Sequence, residues 1–193
     1  MSSSAALEST FAFGLNDLWG ENKIDRMELA RVGQRTEHKY IGVMCGIMDQ
    51  AISCLGRKGS LLRLDCRSGE YEYFPWNPKG YQLVLVNSCV KHTLAGSPYN
   101  ERRLQCEHVA EIIGQKHPEV KSLRDASIEM LEEVKGEITG DEYKRARYVI
   151  GEVERVLAVC DALKNDDYEM VGKMMYETHY GLSKEYEVSC EEL

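Results

Sequence analysis

A chain of 193 residues, 43% hydrophobic and 29% charged, has the material for one domain or two small ones with a true core. Its net charge of −8 argues against a nucleic-acid surface, which calls for a basic patch. No apolar run approaches a membrane span and the N-terminus lacks a signal peptide's basic and apolar regions; the seven cysteines, odd in number and without a C-x-x-C pair, read as buried cytosolic thiols.

The chain opens Met1-Ser2-Ser3-Ser4-Ala5-Ala6-Leu7-Glu8, a small-residue run that leads straight into a helical pattern. Small side chains and exposed amides at a helix N-terminus are what a phosphate loop needs, although an ordinary serine cap has the same composition. Residues 4–19 predict a helix with Leu7, Phe11, Gly14, Leu15 and Leu18 on its apolar face. A second helix is predicted from Asp25 to Tyr40, with Met27, Leu29, Ala30 and Val32 as contacts, and a third through Ile47–Leu55, stopping at Gly56. Ser60–Cys66, Glu70–Phe74 and Gln82–Cys89 read as strands of an antiparallel meander, the last apolar enough to be buried.

From Ser97 onward the pattern is helical. Ser97-Pro98 predicts a helix start, in a helix carrying Leu104, Ala110, Ile112 and Ile113. Ser122-x-x-Asp125 and Thr139-x-x-Glu142 read as capping boxes that open two more helices. The stripe Ala146, Val149, Ile150, Val153, Val156, Leu157, Cys160 and Leu163 has the helical period. A final helix over 167–183 packs with Met170, Val171, Met174 and Met175.

Few residues carry chemistry by themselves. Asp49, just inside a helix start and flanked by Ile47, Met48 and Ile52, is either a carboxylate favouring the helix dipole or a general base tuned by partial burial. Glu37, in Arg35-Thr36-Glu37-His38, is either a residue of a solvated face or a hard oxygen ligand for Mg²⁺. Arg102 and Arg103 have Glu101, Glu107 and Glu111 near them for intrahelical ion pairs. Cys45 has no histidine at a spacing that would make it a nucleophile, and the five histidines have no metal spacing.

In order along the chain, Ser2–Glu8, Cys45-Gly46-Ile47-Met48-Asp49-Gln50, Asp65-Cys66-Arg67-Ser68, Tyr99 with Arg102-Arg103 and Cys106-Glu107, Arg145-Ala146-Arg147 and Tyr186-Glu187-Val188-Ser189-Cys190 resemble the galactokinase branch of the GHMP small-molecule kinase superfamily. The resemblance runs from the first residue to the last. It implies an α+β fold with helices packed on a mostly antiparallel sheet. Residues 1–115 would then belong to the N-terminal, ATP- and sugar-binding domain, and 116–193 to the helical part of the C-terminal domain. It implies ATP-dependent phosphorylation of the anomeric hydroxyl of D-galactose. Ser2, Ser3 and Ser4 would face the ATP phosphates, Ser4 and Glu37 would hold Mg²⁺, Asp49 would be the catalytic carboxylate, and Gly46, Asp49 and Tyr99 would contact the sugar.

The family's N-terminal sugar-binding segment, the front of its phosphate loop and its late glycine-rich motif are missing. Both ends therefore read as cut edges, the chain as an internal fragment without activity of its own, and its exposed edges as sites of self-association. Thr178-His179-Tyr180-Gly181 departs from the family's Ser-His-x-Ser at that place. A galactokinase-like sensor of sugar and ATP, or a kinase for N-acetylgalactosamine, are the alternatives. The implied setting is cytoplasmic, with no nucleic-acid or membrane partner.

Overall fold

Three helices and a β-hairpin make up the first of two units in this computed structural model, which describes residues 2–90 and 99–193. Helix α1 spans Ser3–Leu18. Its predicted apolar face is not the packed one: Leu7, Phe11, Leu15 and Leu18 are all exposed. Instead Ala5, Ser9 and Asn16 are buried, with Ala12 and Phe13 against the core. Small residues there let the neighbouring helices approach closely. Asn16 is a satisfied polar residue of this face: its side chain donates to the Ile24 carbonyl at 3.1 Å and accepts the Ile24 amide at 3.3 Å, which clips the loop leading to the next helix.

Helix α2, Arg26–Thr36, begins where Asp25 accepts the amides of Met27 and Glu28. The single helix predicted to Tyr40 is interrupted. Residues Glu37–Ile41 form a π-turn that closes at Gly42. Helix α3, Met48–Leu55, stops at Gly56 as predicted. Met27, Leu29, Ala30, Ile47, Ala51, Cys54 and Leu55 form the shared core of these helices.

Strands β1 (Ser60–Leu64) and β2 (Tyr71–Pro75) pair antiparallel, with Leu62 opposite Tyr73. Leu62 and Leu64 lie against the helical core, and the Tyr73 hydroxyl donates to the Leu55 carbonyl at 2.6 Å. The third predicted strand does not form. Among the described residues the sheet has two strands, and Leu83–Val86 run without regular secondary structure, exposed. A strand exists only through a hydrogen-bonding neighbour, and apolar composition does not supply one.

The second unit comprises residues 78–90 and 99–193. It holds α4 (Tyr99–Lys116), a 3₁₀ turn (Leu123–Asp125), α5 (Ile128–Glu133), α6 (Gly140–Lys164) and α7 (Tyr168–Lys184). The predicted start at Ser97-Pro98 lies outside the described residues. Val109, Ile113, Leu131, Val134, Ala146 and Ile150 form the core. Helix α4 packs into this second core.

Both predicted capping boxes are present, with different outcomes. Ser122 and Asp125 close only the 3₁₀ turn, and α5 begins afresh at Ser127, whose hydroxyl accepts the Met130 amide. Thr139 and Glu142 open α6: the Thr139 amide donates to Glu142 Oε2 at 2.8 Å and the Glu142 amide to Thr139 Oγ1 at 3.2 Å. On the helix stripe Ala146, Ile150, Cys160 and Leu163 are buried, but Val156 and Leu157 are exposed. On α7 Val171 is buried, whereas Met170 and Met175 are not.

Burial pushes the Glu142 carboxyl up, but the Thr139 bonds and His108, 2.7 Å away, outweigh it and hold it below the usual carboxylate range. A depressed folded-state pKa gives stability that is complete above the unfolded value and is lost as pH falls through the folded one. Thr139→Ala is therefore expected to remove about 1 kcal/mol at neutral pH. Urea titrations at falling pH should show the gap between the two proteins narrowing as Glu142 protonates. A constant gap down to the acid transition would contradict this account.

Candidate active site

Helices α1, α2 and α3 pack on one another in the first unit, and the candidate residues lie on or beside them. Ser2 stands at the N-cap of α1, but its side chain makes no capping bond, so the ordinary serine-cap reading is not the one observed. Ser2 and Ser3 are exposed and Ser4 is half-buried. One helical turn after Ser4, on the same face, comes Glu8.

Glu37 is buried, only 4% exposed, and so does not lie on the solvated face that its charged sequence surroundings suggested. It opens the π-turn, and the widened turn changes which way the following residues point. Its carboxylate lies near that of Glu8, and neither makes an ion pair among the described residues. Oε2 of Glu8 is buried without a hydrogen-bond partner, and it and the Gln50 side chain both lie beside Gly33. Burial first, and Glu37 second, push the Glu8 carboxyl above its ordinary range.

A second set of bonds fixes the approach to α3. Gln34 Nε2 donates to the Cys45 carbonyl at 3.2 Å, and His38 Nε2 lies 2.8 Å from the same oxygen. Gln34 and His38 are four residues apart, so the end of α2 grips the backbone immediately before Gly46. Ile47 is buried at the N-cap of α3, and Asp49 lies in that helix's first turn. The expected partial burial of Asp49 is not found. Asp49 is exposed, as are Met48 and Ile52, because α3 turns Gln50, Ala51, Cys54 and Leu55 inward instead.

Cys45 is a half-buried thiol whose pKa burial raises first and Glu37 second. A thiol held protonated is a poor nucleophile, which agrees with its packing role. All seven cysteines are free. Cys54 and Cys160 are buried, but Cys66 and Cys89 are exposed, so the expectation of buried thiols holds only in part.

Tyr99 is the first residue of α4, in the second unit. Ser2–Ser4, Glu37, Gly46 and Asp49 all belong to the first unit. Arg103 makes the anticipated intrahelical pair with Glu107 at 2.8 Å, whereas Arg102 reaches the carbonyls of Tyr186 and Glu187, the former at 2.9 Å. Sequence reasoning passed over Glu8, Gln34, His38 and Gln50 as site residues. Glycine in the middle of α2, at position 33, was the available signal, since a helix keeps glycine at a cost and usually for a close approach.

A divalent cation can be tested against this donor set. Two neighbouring carboxylates, one buried and the other with a buried unpartnered oxygen, leave negative charge that the described residues do not neutralise. Hard oxygen donors of this kind suit Mg²⁺. Among the described residues no group of three or more His, Cys, Asp or Glu side chains forms a metal site. Any such ion would therefore complete its shell with hydroxyl, water or ligand oxygens.

Removing the charge at position 8 gives a direct check on the burial. A raised carboxylate pKa costs stability above the folded-state value, and that cost vanishes as pH falls below the unfolded one. Glu8→Gln is expected to raise the melting temperature at pH 7.5 by on the order of 3 °C and to leave it unchanged near pH 4. An amide also carries the donor that the unpartnered Gln50 oxygen lacks. Scanning fluorimetry across pH would contradict the account if the variant were less stable at pH 7.5.

Residues 1–57 match the family model described as the GHMP kinases N terminal domain. Over 192 residues the chain is 42% identical to the galactokinase of Thermotoga petrophila, covering 100% of this chain and 52% of that protein. The galactokinase of Homo sapiens is 41% identical over 194 residues, with 100% of this chain and 48% of the relative covered. A crystal structure of Lactococcus lactis galactokinase complexed with galactose superposes with a TM-score of 0.90 at 33% identity, covering 100% of this chain and 49% of that one. The chain spans about half the length of the curated relatives it matches. Among the described residues no helix is long and apolar enough to cross a membrane. Along its whole length the chain is thus similar to galactokinases, and residues 1–57 match the N-terminal domain of GHMP kinases.

Proposed function

We propose that this chain carries the phosphate-binding and catalytic part of a galactokinase, which transfers the γ-phosphoryl group of ATP to the anomeric hydroxyl of D-galactose. The observation that supports the reading is that α1 with its serine start, α2 leading into the buried Glu37, and α3 with Asp49 in its first turn pack on one another within one unit, in a chain 42% identical to a galactokinase. Phosphoryl transfer needs little covalent help from a protein. Positioning and charge neutralisation do most of the work.

Each part then has a role. The first-turn amides of α1 and the hydroxyls of Ser2, Ser3 and Ser4 donate to phosphate oxygens, where the helix dipole also favours negative charge. Glu37 and Ser4 would hold Mg²⁺, which when bound neutralises phosphate charge. Asp49 accepts the proton of the anomeric hydroxyl as that oxygen forms its bond to the γ-phosphorus and ADP departs. Its exposure leaves the carboxylate open to a substrate. Gly46, which lacks a side chain, and Tyr99 contact the sugar. Residues 1–115 and 116–193 divide between the two domains of the kinase fold, and the setting is the cytoplasm.

The test places these residues in the frame of the Thermotoga petrophila galactokinase, in exchange for the 192 aligned residues. A folded chimera is expected to release ADP in a galactose-dependent manner. A chimera with native circular dichroism and a cooperative melt but no such release would sink the reading.

A further inference from the structure

Arg102 and the stretch Tyr186–Cys190 meet in the second unit, and the proposed function gives neither of them a task. Arg103 pairs with Glu107 one turn along its own helix. Arg102 instead reaches 84 residues along the chain: its Nε donates to the Tyr186 carbonyl at 2.9 Å and its Nη2 to the Glu187 carbonyl. The same stretch is held from α6. Arg147 forks onto Glu185, with Nη2 2.9 Å from Oε1 and Nε 3.1 Å from Oε2. The buried Arg145 donates to Gln105 Oε1 and lies 3.5 Å from Glu187 Oε2. Tyr186 rests against the ring of Tyr148, with 5.3 Å between centroids. That ring has room because residue 181 is glycine, where the resembled family has serine: an added Cβ would lie 2.5 Å from it.

Capping of α7 does not account for Arg102. Cations do favour helix C-termini, where carbonyls lack partners. Here, however, the Gly181 carbonyl already accepts the Glu185 and Tyr186 amides, and the Leu182 carbonyl accepts that of Val188. The carbonyls that Arg102 takes lie beyond the helix, which ends at Lys184. Glu187 has a φ of +55°, in the left-handed region, which a residue other than glycine holds only where its surroundings fix it. A grip on carbonyls reads no side chain; it fixes where the backbone runs. At the other end of the grip, the core holds α4 from Cys106 onward, through Val109, Ala110 and Ile113, whereas none of residues 100–105 is buried. Helix ends without buried contacts open first. Arg102 lies in that end, three residues after Tyr99.

We propose that Arg102 is a positioning residue for the sugar: its grip on the Tyr186 and Glu187 carbonyls fixes the first turn of α4, and with it the place of Tyr99. This rests on Tyr99 being a sugar contact, as in the function proposed above. Loosening the turn then disturbs galactose and leaves ATP, whose phosphates belong to the serines of α1, undisturbed.

One measurement needs no turnover. In the chain itself, Arg102→Gln is expected to speed hydrogen exchange about tenfold in the first turn of α4 and in residues 185–190, with the middle of α6 unchanged, read by mass spectrometry. Arg102→Lys, which keeps the cation but cannot donate to both carbonyls as a fork, is expected to fall between the two and serves if the glutamine variant does not fold. Unchanged exchange in the first turn of α4 overturns the inference. In the Thermotoga chimera, Arg102→Gln is expected to raise KM for galactose roughly tenfold while KM for ATP stays within about twofold. In a Tyr99→Ala background the same change is expected to alter KM for galactose less than about twofold, because a residue that acts through Tyr99 has nothing left to place. Additive effects, or equal rises in both KM values, would reduce Arg102 to a general structural tie and overturn the inference. A chimera without galactose-dependent ADP release overturns the functional reading, and with it the sugar role of Arg102; faster exchange in Arg102→Gln would still support the grip.

Discussion

Asp49→Asn in the active chimera is expected to lower kcat on galactose by roughly a hundred- to ten-thousand-fold. Galactose should still bind, because an amide keeps the size and one acceptor of the carboxylate but cannot take a proton. The residue is exposed, so its replacement removes no core contact and leaves no unpaired buried charge. Stability should stay within about 0.5 kcal/mol of the parent, as for other surface changes. A coupled ADP assay with calorimetric titration of galactose separates the two effects. Turnover within a few-fold of the parent would remove Asp49 from the role of base.

Leu131→Ala is expected to cost about 3 kcal/mol, the largest stability effect among these predictions. Leu131 is 0% exposed and sits on α5, a helix of 6 residues. A helix that short has almost no stability of its own and persists through the surface that it buries. Leu131 meets Val109, Ile113, Val134, Ala146 and Ile150 in one cluster, so truncation leaves a void bordered by three helices. Urea titration followed by circular dichroism would show the loss as a lower midpoint. A cost below 1 kcal/mol would mean that the cluster collapses around the smaller side chain.

What could be read from the sequence was local. Asp25 as a cap, Gly56 as a stop and the Thr139–Glu142 box each act within four residues, and each is found where the pattern put it. What failed needed a partner from elsewhere in the chain. Gln82–Cys89 has the composition of a strand, but no described strand lies beside it to receive its hydrogen bonds. Leu7, Phe11 and Leu15 make a convincing apolar stripe, yet α1 packs through Ala5, Ser9 and Asn16, since small side chains allow the closer approach. The candidate site divides the same way. Asp49 and the serines stand out within short motifs, whereas the meeting of Glu8 and Gln50 beside Gly33 joins distant positions and has no periodic trace. Its charge leaves Glu37 open between a solvated face and a ligand, although it follows the buried Ala30 and Gly33 at helical spacing.

The π-turn also changes how the chain can vary in length. A π-turn differs from an α-turn by one residue, so the segment Glu37–Ile41 holds one residue more than an α-helix would need to make the same turn. Lys39, Tyr40 and Ile41 face solvent, while Gly33, upstream, is locked against Gln50. The exposed part of the turn is thus the place where a relative can drop or add a single residue without moving the packed part of α2. Alignments that force a gap into the preceding helix would shift Gly33 out of register with the side chain it makes room for.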